Sequence, residues 1–391
     1  MTAGEELYKL VAELYPICRS ITGDGVRRTL EIVDREIGLE VHEVSTGTQV
    51  LDWTVPREWN VRDAWVAAPS GERVIDFQAS NLHLLGYSVP VRATVPLQEL
   101  RRHLFTLPEQ PEWVPYRTSY YAERWGFCAS QRLVDRLPDG DYEVCVDTTL
   151  ADGRLTYGEH LVEGQTDGEV LVSCHVCHPS LANDNLSGIA VATRLASLLD
   201  QGPRPRYSYR FLFIPGTIGS ITWLARNEDR VGRIRHGVVL SGVGDPGGFT
   251  WKRSRRGDTE IDRAVAHVLG RSGRPHRVVD FSPYGYDERQ YCSPGFDLPV
   301  GRLSRTPFAT YPEYHTSADD LDLVGPVQLQ ESLEVCWEVV GVLEGNRRYE
   351  NLSPKGEPQL GRRGLYGQIG GRSDAEERQM AMLWVLNLSD G

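Results

Sequence analysis

The sequence predicts an α/β protein, a central sheet covered by helices on both faces. Two observations carry that expectation, and a third points to a site. From about residue 170 onward, strongly apolar strands alternate with helical patterns, as in sheets sandwiched between helix layers. The strands at 170–173 and 209–214 are short and strongly apolar, as strands covered on both sides should be. His175, Gly216 and Asp245 each fall just after a predicted strand, where open α/β sheets hold their ligands.

Taken in order, residues 4–38 read as two helices. Leu7, Leu10, Val11 and Leu14 recur at helical spacing, Thr22-Gly23-Asp24-Gly25 breaks the chain, and Leu30, Ile32, Val33 and Ile37 resume the period. From about 40 to 107 the pattern shifts to short alternating runs with many turn residues, a compact β module. Trp53, Trp59 and Trp65 are close enough in sequence to share one small core. Residues 113–127 are rich in aromatics that suit packing or a pocket wall, Tyr120 and Trp125 among them. Strands follow at 141–148 and 170–174, with Glu159 and His160 expected near a turn between them. The alternating part then predicts a helix at 187–200, a strand at 209–214 and a helix from Gly219 to about 228. A strand at 237–243, a helix at 258–270, strands near 276–281 and 297–303, and a helix at 326–344 complete it. The tail is turn-rich from 351 and then helix-like, and reads as if the last element were cut short.

The chain has 391 residues and a formal net charge of −12. That balance argues against nucleic acid as the main ligand, because little basic surface is left to meet a phosphate backbone. The most basic run, Lys252-Arg253-Ser254-Arg255-Arg256, is short. The first residues lack the layout of a secretion signal, no run approaches eighteen apolar residues, and seven scattered cysteines suggest no disulfide framework. A cytoplasmic protein, off the membrane, is expected; homo-oligomers are left open.

The chemistry concentrates at residues 173–194, S-C-H-V-C-H-P-S-L-A-N-D-N-L-S-G-I-A-V-A-T-R. His175, Cys177, His178 and Asp184 crowd the end of a strand and the loop before a small-residue helix, and imidazole, thiolate and carboxylate are the side chains that bind transition metals. A hydrolytic metal site needs such ligands, an open position for water and a base for its proton. Further candidates are Asp245 in G-V-G-D-P-G-G, Asp287-Glu288 in Y-G-Y-D-E-R-Q-Y-C, and His315 in Y-P-E-Y-H-T-S.

These motifs, together with R-S-I-T-G-D-G-V-R, D-W-T-V-P-R-E-W-N, S-N-L-H-L-L-G-Y-S, S-Y-Y-A-E-R-W-G-F-C, N-L-S-P and G-R-R-G-L-Y, resemble a bacterial group of aminopeptidase-like proteins. The group is similar to the co-catalytic zinc exopeptidases, the clan of leucine aminopeptidase and glutamate carboxypeptidase, and the resemblance covers almost the whole chain. It implies a zinc-exopeptidase α/β domain at 1–44 and 108–350, an inserted β domain at 45–107, and a winged-helix-like region at 351–391. It also implies one or two zinc ions. On the clan's pattern His175 binds one metal, Asp184 bridges two, Asp245 binds the first and His315 the second, with Cys177 standing where the clan has an orienting Asp.

One departure stands out. The group's motif P-E-T-I-G-S reads Pro215-Gly216-Thr217-Ile218-Gly219-Ser220 here, so the expected carboxylate is missing at Gly216. Three readings follow. Glu288, Glu313 or Glu159 acts as base; one metal held by His175, Asp184 and Asp245 runs modified chemistry; or the chain binds or scaffolds through an inactive site. His178, Tyr286 and Tyr314 are candidate substrate or oxyanion contacts, His178 also a catalytic one, and Tyr120 a pocket wall. The expected activity is zinc-dependent cleavage of an amide in a small or peptidyl substrate, with DNA-linked regulation through the tail as a remoter idea.

Overall fold

Two helices open the chain as the apolar periodicity requires: α1 (Ala3–Leu14) buries Leu7, Val11 and Leu14, and α2 (Asp24–Ile37) buries Val26, Leu30 and Val33. The structure, a computed structural model, describes residues 2–365 and 375–390. They fall into two units, Met1–Val340 and Gly341–Gly391.

The first unit is built on an eight-stranded sheet. In chain order its strands are β1 (Glu40–Ser45), β6 (Arg154–Val162), β7 (Glu169–His175), β8 (Ser208–Ile214), β9 (Ile234–Leu240), β10 (Phe249–Lys252), β11 (His276–Val279) and β12 (Val300–Ser304). A smaller four-stranded sheet holds β2 (Glu58–Ala67), β3 (Arg73–Asp76), β4 (Val91–Pro96) and β5 (Asp141–Ala151). The large sheet runs in the order β1-β6-β8-β7-β9-β12-β10-β11. Its four middle strands, β8, β7, β9 and β12, are mutually parallel, while β6 and β10 run antiparallel to their neighbours in that group. Every residue of β7 is buried, which explains its near-continuous apolar run. Helices α3 (Gly188–Gln201), α4 (Ile218–Arg226) and α5 (Glu260–Arg271) follow β7, β8 and β10 and bury their apolar faces. The helix Pro326–Gly345 also forms where its periodicity lies.

Three local expectations are corrected. The small sheet extends past residue 107: β5 lies between β2 and β4 and alternates buried and open positions, so its period-two pattern joins it to that sheet. The three tryptophans do not share a core, since Trp59 is buried, Trp53 is 38% exposed against Tyr121, and Trp65 lies under the Arg73 guanidinium. Glu159 is in β6 rather than near a turn, and it is buried against Arg210 and the Trp223 indole N–H. Arg210 also grips Glu169 with two hydrogen bonds of 2.6 and 2.9 Å. That pairing uses up Glu159, so it does not serve as a base.

In the second unit α6 (Ala375–Leu388) forms, and Asn351 N–H donates to Ser389 O at 2.8 Å. Residues 366–374, inside the expected winged-helix-like span, lie outside the described residues.

Candidate functional site

The carboxyl ends of β7, β8, β9 and β12 all open toward one edge of the sheet. After β7 the chain steps to β8 on one side and then to β9 on the other, so this edge is a switch point that leaves a crevice between the following loops. His175 is the last residue of β7, and the loop behind it delivers His178 and Asp184 before α3 begins. His315 comes from the loop after β12 and adopts positive φ (56°), a conformation a non-glycine residue holds only when its surroundings fix it.

These residues meet on one carboxylate. His175 Nε2 lies 2.8 Å from Asp184 Oδ1; His178 Nδ1 at 3.2 Å and His315 Nε2 at 3.0 Å share Oδ2. Asp184 is 3% exposed, and the ligand atoms of His175, His178 and Asp184 lie within 4.8 Å of one another. No lysine or arginine pairs with Asp184 among the described residues. Burial alone raises its carboxyl, but His178 and His175 outweigh burial and hold it well below the usual range. Burial pushes His175 down to about 4 despite the Asp184 charge, and it also lowers His315. Burial thus favours the neutral imidazole at both, the state that ligates metal.

A buried carboxylate surrounded by three imidazoles fits a divalent cation such as zinc. His175 alone meets a constraint. Asn185 Nδ2 donates to Leu240 O at 2.9 Å and sits 3.2 Å from His175 Nδ1, while Asn185 Oδ1 accepts from Gly242 N–H at 3.2 Å. With Nδ2 as donor the His175 proton sits on Nε2, facing Asp184; ligation through Nε2 requires that contact to give way, while the two backbone bonds keep the amide from turning.

The remaining candidates separate clearly. Asp245 is buried outside the cluster, because both its oxygens are already taken. Oδ1 accepts from Gly247 N–H at 2.8 Å and Thr306 Oγ1 at 2.5 Å, and Oδ2 from Asn183 Nδ2 at 3.1 Å. Glu288 is fully buried and bonded to Lys252 Nζ at 2.9 Å and to the Tyr286 N–H at 2.9 Å, which spends it on structure. Asp287 accepts from Thr217 N–H at 2.7 Å and Ser220 Oγ at 2.8 Å, at the start of α4 rather than in the cluster. Glu313 is half-buried two residues before His315, and its backbone carbonyl accepts from Thr316. Tyr314 stacks on His315 with ring centres 3.9 Å apart. Tyr120 is one step removed: its hydroxyl meets Tyr116 at 3.1 Å, and Tyr116 packs edge-on against His178 and His315.

Gly216 has a steric reason. The Tyr286 ring lies 3.8 Å from that of His175, and its hydroxyl sits 3.4 Å from His178 Nε2. A Cβ built on Gly216 would overlap that hydroxyl and lie 2.7 Å from the ring carbons beside it. The phenol thus fills the space a side chain at 216 would enter. Cys177 takes no part in orienting His175; its sulfur accepts from Gly216 N–H at 3.2 Å.

Sequence reasoning missed Asp319, Asn185 and Tyr116. Asp319 is fully buried and accepts the backbone N–H groups of Asn183 at 2.6 Å and Asp184 at 3.0 Å, fixing the loop that presents Asp184. Its place four residues after His315, in H-T-S-A-D, was the available signal.

The comparisons agree with this architecture. A family profile described as a domain of unknown function (DUF4910) matches residues 8–346, and a winged helix-turn-helix profile matches 347–391. A Clostridium acetobutylicum protein is 52% identical over 388 residues, spanning 99% of this chain and 89% of its own. Its provisional name is polysaccharide biosynthesis protein with aminopeptidase-like domain. A crystal structure from the same organism, provisionally named a peptidase, superposes with a TM-score of 0.92 at 50% identity, covering 99% of this chain and 88% of that one. The zinc aminopeptidase of Bacillus subtilis shares the fold at a TM-score of 0.64 and 13% identity, over 88% of this chain and 96% of that one. The chain therefore belongs to the DUF4910 family, with an α/β fold like that of zinc aminopeptidases and a C-terminal winged helix-turn-helix region.

Proposed function

We propose that the protein is a metal-dependent hydrolase of the aminopeptidase type, cleaving an amide bond in a small or peptidyl substrate from a cation site built on Asp184. The observation that carries this reading is the convergence of three imidazoles on one buried carboxylate with no basic side chain paired to it. His178, His315 and Asp184 would hold the ion, joined by His175 once the Asn185 contact at its Nδ1 gives way. A bound zinc would polarise the substrate carbonyl and lower the pKa of water.

The chain's own residues complete the site. Asp319 holds the Asp184 loop. Burial, reinforced by the charges around it, raises Tyr286 well above its usual value, so its phenol keeps its proton and acts as a donor toward a substrate oxygen, not as a base. With Glu288 and Glu159 committed to ion pairs and His178 holding the ion, Glu313 is the proton acceptor this reading retains. A cytoplasmic setting suits seven free cysteines, and no described helix is long and apolar enough to cross a membrane.

A second reading is favoured by Tyr286 itself. Losing a general base typically costs about 10²–10⁴ in rate, so a chain with that space filled is suited to binding rather than turnover. One experiment separates the two: zinc content after equilibrium dialysis, with hydrolysis of aminoacyl-anilides by the native chain and by Asp184→Asn. Zinc bound at a stoichiometric level and hydrolysis lost in Asp184→Asn support the enzyme. Zinc without hydrolysis supports the binding protein, and no zinc in the native chain overturns the metal site.

A further inference from the structure

The loops after β9 and β12 enclose a narrow cleft with free space of about 10 Å³, lined by Asp184, Ser241, Arg302, Ser304, Phe308 and Tyr314. Arg302 is out of place there as a purely structural residue. It is 4% exposed, yet its Nε and Nη1 are buried without a hydrogen-bond partner, and the Ser304 hydroxyl is likewise buried and unpartnered. Buried polar groups normally find partners, and an unpaired buried charge is expensive.

The local charges do not balance around Arg302. Its nearest acidic neighbour, Glu288, lies 3.7 Å from Nη1, beyond hydrogen-bond reach, and is already bonded to Lys252 at 2.9 Å. Two cations thus share one carboxylate, and the ion pairs of Asp184, which also lines the cleft, are all with histidines among the described residues. The Phe308 ring lies 4.6 Å from the guanidinium carbon and covers one face, leaving the donor edge for a ligand.

We propose that Arg302 and Ser304 form a subsite for a carboxylate carried by the ligand, beside the Asp184 cluster. A planar carboxylate matches the guanidinium fork, and Ser304 Oγ supplies a further donor. Resting on the hydrolase reading, this names the substrate class: an amide whose neighbouring group is a free carboxylate, as in an N-acyl amino acid.

The test reads binding, so it does not depend on turnover. Calorimetric titration of the full chain with N-acetylglycine, N-acetylglycinamide and inorganic phosphate is run with zinc and after EDTA treatment. A charge-assisted contact of this kind corresponds to a difference of roughly 10- to 100-fold. The native chain is expected to prefer N-acetylglycine to the amide by at least that lower bound, Arg302→Gln to erase the preference, and Ser304→Ala to reduce it severalfold. Equal binding of acid and amide, an unchanged preference in Arg302→Gln, or tighter binding of phosphate than of N-acetylglycine overturns the proposal. Should Arg302→Gln fail to fold, Ser304→Ala decides alone, and an unchanged preference there overturns it. Preference that survives EDTA, with no zinc bound at any stage, sinks the metal reading and leaves the carboxylate subsite standing.

Discussion

The ends of β7 and β8 lie side by side in the same sheet, parallel and both buried, and they do opposite things. Behind β7 the loop gathers His175, His178 and Asp184 into a ligand cluster. Behind β8 the backbone makes the turn where the resemblance implied a carboxylate, but residue 216 is glycine and the Tyr286 ring occupies the space. Thr217 beside it has positive φ (63°), a strained setting for a β-branched residue, and is held by the Asp287 carboxylate. One strand end gathers imidazoles around a carboxylate, while its neighbour packs around a phenol. Groups able to ligate a metal and the position expected to carry a base are thus set by separate loops.

The comparison can be broken at its stronger end first. Asp184→Ala removes the carboxylate on which all three imidazoles meet, and zinc affinity should fall more than about 100-fold, since even residues behind the ligands contribute about 10- to 100-fold. Equilibrium dialysis checks it; retained zinc would place the metal elsewhere. Asp319→Asn removes one acceptor of the Asn183 and Asp184 N–H groups, and the same dialysis should show a loss of about 10- to 100-fold.

At the β8 end, Gly216→Glu forces a side chain into the Tyr286 ring. It should destabilise the fold by about 1–3 kcal/mol in urea unfolding, the usual cost of overpacking, and the double variant Gly216→Glu/Tyr286→Ala should recover part of the loss. A single variant as stable as its parent would mean that Tyr286 does not hold that space.

The smallest effect tests Asp287. Burial pushes its carboxyl from the usual 3.8 up to about 6, although Thr217 N–H and Ser220 Oγ donate to it. Between those values the folded state binds the proton that the unfolded state has released. The group's contribution to stability is therefore complete below about 4 and lost as pH rises to about 6, with a slope of at most about 1.4 kcal/mol per pH unit. Asp287→Asn places an amide where Oδ2 has no partner and should flatten that part of the curve relative to the native chain. Parallel curves for the two would refute the assignment.

Much of the α/β framework was legible because burial on both faces writes itself into local sequence. The β7 run and the helix after Ser187 form within a residue or two of where the pattern puts them. The small sheet was legible only in part, since β5 belongs to it through partners about 80 residues earlier. Within the site, His175 and Asp184 were readable from spacing because nine residues separate them. The partners of Asp245 and Glu288 were not legible for the opposite reason: a carboxylate in the sequence looks the same whether its oxygens face a cleft, Thr306 or Lys252.

The sequence by itself determined the order of strands and helices, the edge of the sheet where polar residues collect, and the absence of a carboxylate at 216. Only the tertiary structure decided that His315 joins Asp184 across 131 residues, that Asn185 rather than Cys177 faces His175, and that a tyrosine fills the gap at Gly216. The physical reason is one of range. Periodicity and turn chemistry act between near neighbours, whereas hydrogen-bond partners and steric occupancy are set by which loops the sheet brings together.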